Sequence, residues 1–327
     1  MYRNFLFSVF FIFLNLSAFA IPLCMYGGNS KEDIKHIKKA GFNCFQSGNK
    51  NFNVLNELAQ TAKKENLKAV FYIEQINSEE EIKQANTWPM LAWYIYDEPD
   101  VHKIAPKDMI ILNDKIKHVL PNAPTALVIG QGKTELDYYN IADILMVDWY
   151  PVPHLALESF GQELNLAKTH LQTDKNFWGV VQAFNWKDYK QYRPDNDRIG
   201  RFPTKNEINF MSWHGIVNGA NGLFYFNFNT GGKKLNKYSP QVWQALKQTL
   251  REIKKFSYFM EKGKEVKTPF ILPSNLESRT WFYKKYHYTL IANASAKQTS
   301  PVLPADAKIL LGNKKLEPYK ILIIRYK

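Results

Sequence analysis

Eight short apolar runs, each followed by a polar or helically spaced stretch, set the narrowest limit on what this chain can fold into. The runs are PLCMYGG from Pro22, FNCFQSG from Phe42, KAVFYIEQ from Lys68 and MLAWYIYDEP from Met90. They continue with APTALVIG from Ala123, DILMVDWYP from Asp143, NFWGVVQAF from Asn176 and NGLFYFNFN from Asn221. Each is rich in branched or aromatic side chains and apolar on both faces, the pattern of a parallel strand buried on both sides. Between them, Ile34, Ile37 and Ala40 recur behind a capping Ser30, and Phe52, Leu55, Leu58, Ala59 and Ala62 form one stripe. Helical spacing also covers 107–119, 157–171, 205–217 and 240–258. Alternation of this kind implies βαβ units, and eight of them over about 240 residues predict a (β/α)8 TIM barrel across 21–262. The rival, a doubly wound sheet, seldom needs eight full repeats, and no GxGxxG follows the first run.

The barrel does not use the whole chain. After Gly263 the helical period vanishes, and KTPFILPS, RTWFYKKYHYTLIANAS, AKILLGNKKLEP and YKILIIRYK alternate apolar with polar residues. This predicts a small antiparallel β-domain, sheet or sandwich-like, over 263–327, packed on the barrel because it is too small to stand alone. At the other end, Arg3, an apolar run from Phe5 to Leu16 and the small residues Ala18 and Ala20 form the pattern of a secretory signal peptide over 1–20. The run is broken by Asn15 and is shorter than the roughly 20 apolar residues that a membrane span needs. An exported protein, periplasmic or extracellular and without a membrane span once the signal is removed, is the expectation. Cys24 and Cys44 are the only cysteines. An oxidising compartment permits a bridge between them, but two buried thiols are expected, because neighbouring barrel strands seldom meet bridging geometry.

The formal net charge is +13, which raises nucleic acid or an anionic polymer as partners. The lysines are scattered and no reader motif accompanies them, so no specific nucleic-acid partner is expected. No Cys or His pair stands at metal-ligand spacing, and no phosphate-cradling loop or GxSxG elbow is present, so neither metal nor cofactor is expected.

In a barrel of this type the chemistry sits at the carboxyl ends of the strands. Those positions hold Tyr26, Gln46, Glu74, Asp97, Glu98 and Gln131, then Asp148, Trp149, Tyr150, Gln182, Asn185, Trp186, Tyr225, Asn227 and Asn229. Acids, amides and rings together suit sugar chemistry: amides and carboxylates grip hydroxyls, rings stack on pyranose faces, and two carboxyls divide acid from nucleophile or base. The predicted catalytic set is Glu98, Asp148 and Glu74. The predicted substrate-binding set is Asp97, Tyr26, Gln46, Trp149, Tyr150, Gln182, Trp186, Tyr225 and Asn227. Glu207 follows Thr204 at capping-box spacing and is expected to be structural. His214 lies inside the same helical pattern and is expected to pack or lie on the surface. The long segment 187–203 carries Arg193, Arg198 and Arg201, which would recognise carboxylated or sulfated sugars, or else pair with Asp188, Asp195 and Asp197.

The pieces WYIYDEPD, MVDWYPV, VVQAFNW, FPTKNE and MSWHGIVNGANGLFYFN, followed by a terminal β-domain, resemble a group of secreted barrel proteins related to glycoside hydrolases. The resemblance spans nearly all of the chain after the signal segment. It implies a glycosidase whose acid/base is the glutamate ending strand four, which by position is Glu98. In that large retaining clan an asparagine precedes the acid, where Asp97 stands here, and the nucleophile is a glutamate ending strand seven, where this chain has Gln182. The alternative is a catalytically inactive barrel that binds carbohydrate in the same cleft.

Overall fold

The structure, a computed structural model, describes residues 21–76, 78–130, 136–189 and 200–327. The signal segment, Gln131, and Arg193, Arg198, Asp195 and Asp197 lie outside the described residues. Eight strands form a closed parallel barrel in sequence order. They are β1 (Leu23–Tyr26), β2 (Cys44–Ser47), β3 (Lys68–Tyr72), β4 (Met90–Asp97), β5 (Thr125–Ile129), β6 (Ile144–Asp148), β7 (Asn176–Gln182) and β8 (Gly222–Phe226). The crossover helices are α1 (Lys31–Ala40), α2 (Phe52–Lys64), α3 (Glu79–Ala85), α4 (Pro106–Val119), α5 (Ser159–His170) and α6 (Lys205–Val217). Among the described residues the β5–β6 connection carries only a 3-10 turn, Leu136–Tyr138, tied down by the Tyr138 hydroxyl donating to the Ile104 carbonyl. After β8 come a two-residue hairpin, β9 (Asn229–Thr230) and β10 (Lys233–Lys234), a short α7 (Leu235–Tyr238) and the long α8 (Pro240–Lys262). The helix ends follow local chemistry. The Ser30 hydroxyl accepts from the Asp33 N–H at the start of α1, and Gly41 ends that helix at φ 105°, a conformation that favours glycine.

Period two divides each barrel strand between two cores. Cys24, Tyr26, Cys44, Val70, Ala92, Tyr94, Ala126, Val128, Ile144, Met146, Trp178, Val180 and Phe224 fill the barrel interior. Their odd-numbered neighbours, such as Met25, Phe45, Phe71, Leu127, Val147, Val181 and Tyr225, pack under the helices. One strand breaks the period. Between Tyr94↔Ala126 and Asp97↔Val128, three steps along β4 match two along β5, so a β-bulge brings Asp97 into the inward series of Ala92 and Tyr94.

Cys24 and Cys44 are not free thiols, as expected above, but a disulfide. They are direct register partners on β1 and β2, 4.4 Å apart at Cα, and both sit in the barrel interior. Parallel register puts the two Cβ atoms side by side on one face, which spacing in sequence cannot reveal.

The tail folds as one antiparallel sheet in the order β11-β12-β13-β15-β14. Its strands are β11 (Lys264–Val266), β12 (Leu276–Tyr283), β13 (Tyr286–Asn293), β14 (Lys308–Leu311) and β15 (Ile321–Tyr326). Trp281, Tyr288, Leu290, Ala292, Ile321 and Ile323 join the main core under α6 and α8, while Ile291, Leu322 and Ile324 form a separate cluster on the other face. Polar ties fix the docking: the Arg279 guanidinium donates to the Ile216 carbonyl at 2.8 Å, and buried His214 of α6 meets Glu277 of β12 at 2.7 Å. No helix among the described residues is long and apolar enough to cross a membrane.

Candidate active site

At the carboxyl ends of β4 and β6 three acids converge. Asp148 ends β6 and continues the inward series of Ile144 and Met146. It is buried, and its Oδ2 accepts from the Tyr150 hydroxyl at 3.0 Å. Its other oxygen, Oδ1, is buried without a hydrogen-bond partner, and the Glu98 carboxyl is the neighbour whose charge bears on it most. Neighbouring carboxylates repel each other when both are charged, which favours a proton on one of them. Burial pushes the Asp148 carboxyl well up, and the Glu98 charge pushes it further. Burial also raises Glu98, and the Asp97 and Asp100 charges add to it, but the upward push is the stronger on the more deeply buried Asp148.

Glu98 reaches this position through a strained turn. Its φ is 50°, a left-handed conformation that costs a non-glycine residue roughly 1 kcal/mol, and it precedes Pro99. Asp100 holds the turn against β5 by accepting from the Gly130 N–H at 3.0 Å. Gly130 itself must lack a side chain, because a Cβ there would stand 2.9 Å from Glu98 Oε1 and 2.9 Å from Val101 Cγ2. His102 closes the turn, its Nδ1 lying 3.1 Å from the Asp97 carbonyl oxygen.

Asp97 is the third acid. It is solvent-exposed at the mouth, although protein surrounds it at longer range. That surrounding mass raises its pKa, while the Tyr94 hydroxyl, donating to Oδ1 at 2.9 Å, and the nearby His102 lower it. Below the acids lies an aromatic floor. Tyr26 and Tyr94 meet hydroxyl to hydroxyl at 2.8 Å, and the Tyr72 ring packs edge-on against Tyr94 with centroids 4.9 Å apart. Burial pushes all of these phenols up, and the Asp97 charge adds to it, so they remain donors. On the far side Tyr150, Phe184, Trp186, Tyr189 and Phe226 form a continuous ring cluster, with Tyr150 stacked on Phe226 at 5.8 Å.

Of the predicted residues, Glu98, Asp148, Asp97, Tyr26 and Tyr150 come together at this mouth. Gln46, the register partner of Tyr26, is buried in the same inward series as Cys44. Asn227 donates to the Tyr189 hydroxyl at 2.8 Å and accepts from Thr230 at 2.8 Å. Trp186 stands in the ring cluster with its indole N–H toward the Tyr150 carbonyl at 3.3 Å. Glu74 is exposed on the 3-10 turn after β3, where its charge bears on Tyr72.

Three expectations are corrected by strand parity and burial. Tyr225 points outward, with its hydroxyl donating to Ser212 of α6 at 3.0 Å, and belongs to the helix-facing core. Trp149 likewise turns outward beside inward Asp148, and its indole N–H donates to Ser159 at 2.9 Å. Gln182 faces inward but is fully buried. Its Oε1 accepts from the Val152 N–H at 2.9 Å and its Nε2 donates to the Val152 carbonyl at 2.7 Å, so the amide clamps a loop and is not offered to a ligand.

Glu207 closes a capping box with Thr204 and is gripped by both Arg201 terminal nitrogens at 2.7 Å. Burial pushes its carboxyl up, but Arg201 and Thr204 more than offset this and hold it low. Arg201 is thus committed to Glu207. Sequence reasoning missed Tyr94, Tyr72, Phe226 and Gly130. The first three carry a signal in retrospect, since each keeps inward parity with a residue already placed in the interior. Elsewhere, a cleft of about 620 Å³ between α5, α6 and the tail sheet is lined by Lys168, Glu265 and Arg279 but contains none of the strand-end acids. Among the described residues no group of His, Cys, Asp and Glu is arranged to hold a metal ion.

No family model and no curated protein matches this chain. Solved structures do resemble it. Amy13B of Eubacterium rectale superposes with a TM-score of 0.63 at 10% identity, covering 95% of this chain and 96% of its own. A protein described only as a glycoside hydrolase gives 0.58 at 12% identity over 84% of this chain and 79% of its own. A GH30 endoxylanase from Clostridium papyrosolvens gives 0.51 at 12% identity over 93% and 95%. At such identities the likeness is one of fold, the closed eight-stranded parallel barrel.

Proposed function

We propose that this protein is an exported glycosidase acting on a glycan at the β4–β6 mouth. The observation that carries the reading is a buried Asp148 with an unpartnered oxygen, raised by burial and by the Glu98 charge, beside a solvent-open Asp97. Glycoside hydrolysis needs a proton for the departing oxygen and an anion facing the positive charge that develops on the sugar ring. Asp148 is buried and its ionisation is opposed by the Glu98 charge, so the pair is poorly suited to flank a glycosidic bond as two separately charged partners. The two therefore act as one acid. Asp148 stores the proton, and Glu98, the less buried member, hands it to the glycosidic oxygen as the C–O bond breaks. Asp97 supplies the anion that faces the developing charge, and water adds its oxygen to the freed sugar carbon while its proton returns to the Glu98–Asp148 pair. This keeps Glu98 in the acid role implied by the resemblance and moves the second carboxylate from β7, where Gln182 is a clamp, to the β4 bulge. Tyr150, Trp186 and Phe226 offer ring surface for a sugar, with Asn227 at the edge.

Export is supported by the amino-terminal pattern and by the Cys24–Cys44 disulfide, which suits an oxidising compartment. The decisive experiment screens plant, algal and bacterial glycans for released sugar, comparing the native protein with Glu98→Gln. Loss of an acid catalyst should lower turnover about 10²–10⁴-fold. Turnover that survives the substitution removes Glu98 from the acid role. A glycan bound equally by both proteins with no product identifies instead a silent carbohydrate-binding barrel, the reading favoured by Gln182 standing where the resemblance calls for a glutamate.

A further inference from the structure

Asp97 does not stand alone at the bulge. Tyr94 has one hydroxyl proton, and it is committed to Asp97 Oδ1 at 2.9 Å. The 2.8 Å contact between the Tyr26 and Tyr94 hydroxyls must then run from Tyr26 to Tyr94, giving a series Tyr26 to Tyr94 to Asp97 that crosses the barrel floor from β1 to β4. Both rings are buried and locked: Tyr94 by Tyr72 and Tyr26, and Tyr26 by Phe224 at 5.3 Å and Phe226 at 5.4 Å. Phenylalanine would fill the same space without the cost of burying a hydroxyl, so the oxygens call for a role beyond packing. The bulge supplies the geometry, since without its extra residue Asp97 would leave the inward face that Tyr94 occupies.

We propose that Tyr94, backed by Tyr26, is a positioning residue that aims the Asp97 carboxylate into the cleft and favours its charged form. The proposal rests on the reading of Asp97 as the second carboxylate of a glycosidase. A hydrogen bond to the charged form favours that form, and one donor strengthened by a second donor does so more. The other groups facing Asp97 are Tyr72 from β3, Glu98 and His102 from the turn after β4, and Asp148 and Tyr150 from β6 and its loop. His102 is the one basic group in that set, so the tyrosine series is the main support from within the barrel.

The test is a carboxyl-carbon NMR titration of Asp97 in the full-length protein, with its signal assigned by its loss in Asp97→Asn. Tyr94→Phe should raise the proton affinity of Asp97 about three- to tenfold, the equivalent of one ordinary hydrogen bond. Tyr26→Phe should act in the same direction and less. Tyr225→Phe, which removes an equally buried hydroxyl facing the helices, should leave Asp97 unmoved. If a glycan substrate is found, the acid limb of its kcat/KM profile should move to higher pH by the same factor in Tyr94→Phe, with kcat falling more than KM changes. An Asp97 titration unchanged in Tyr94→Phe overturns the proposal and makes the tyrosines packing residues. Should Tyr94→Phe not fold, Tyr26→Phe decides on the same readout. Absence of hydrolysis on every glycan counts against the glycosidase reading, while the titration still tests the positioning role.

Discussion

Asp148 shows how one residue's surroundings set its chemistry. Burial and the neighbouring Glu98 charge raise its pKa, so the folded protein keeps a proton that the unfolded chain releases at about pH 4. Stability from that proton is present in full below the unfolded value and is lost as pH rises through the folded one. Asparagine carries no charge at any pH and can still accept from Tyr150 and donate to Glu98. Asp148→Asn is therefore expected to melt higher than the native protein at pH 8, by about 2 °C or more, with the two curves meeting near pH 4. Melting curves across that range check this, and a constant offset at every pH would contradict a raised Asp148 pKa. The sequence placed Asp148 at a strand end, but its partnership with Glu98 depends on two strands that are not neighbours in the barrel.

At the scale of elements, parity and loops decide which strand-end residues can meet a ligand. Listing strand ends found Glu98 and Asp148, yet it treated adjacent positions as equivalent, although successive side chains leave a strand on opposite faces. Trp149 and Tyr225 fail for that reason. Gln182 fails for another: its amide joins the end of β7 to the loop after β6. A glutamate there would accept from the Val152 N–H but could not donate to the Val152 carbonyl while ionised. Gln182→Glu is accordingly expected to cost about 1–3 kcal/mol in chemical denaturation and to bring no gain in hydrolysis. A variant of native stability with new activity would mean that the position is a vacant nucleophile site and not a clamp.

Across the whole molecule, a barrel closed by β1–β8 pairing is stapled from within where β1 meets β2. The bridged cysteines are 20 residues apart, a loop whose closure is worth about 3 kcal/mol in chain entropy. Replacing both with alanine should lower stability by roughly that amount and leave the tail sheet docked, as judged by denaturant unfolding and near-ultraviolet dichroism. A loss near zero would show that the bridge does not constrain the unfolded chain. The tail itself docks through the inner face of one sheet, with Arg279 and the His214–Glu277 pair tying it to α6.

The sequence by itself determined the barrel, its strand order, the capping role of Glu207 and the β-rich tail, because each of these follows from local periodicity or from contacts within a few residues. It also brought Glu98 and Asp148 forward as strand-end acids. Only the tertiary structure decided that the charges of those two bear on each other, that a bulge turns Asp97 inward above Tyr94, and that Cys24 faces Cys44 across a strand pair. These depend on register between segments far apart in the chain, and register is set by the packing of the closed barrel as a whole, to which no single run of residues holds the key.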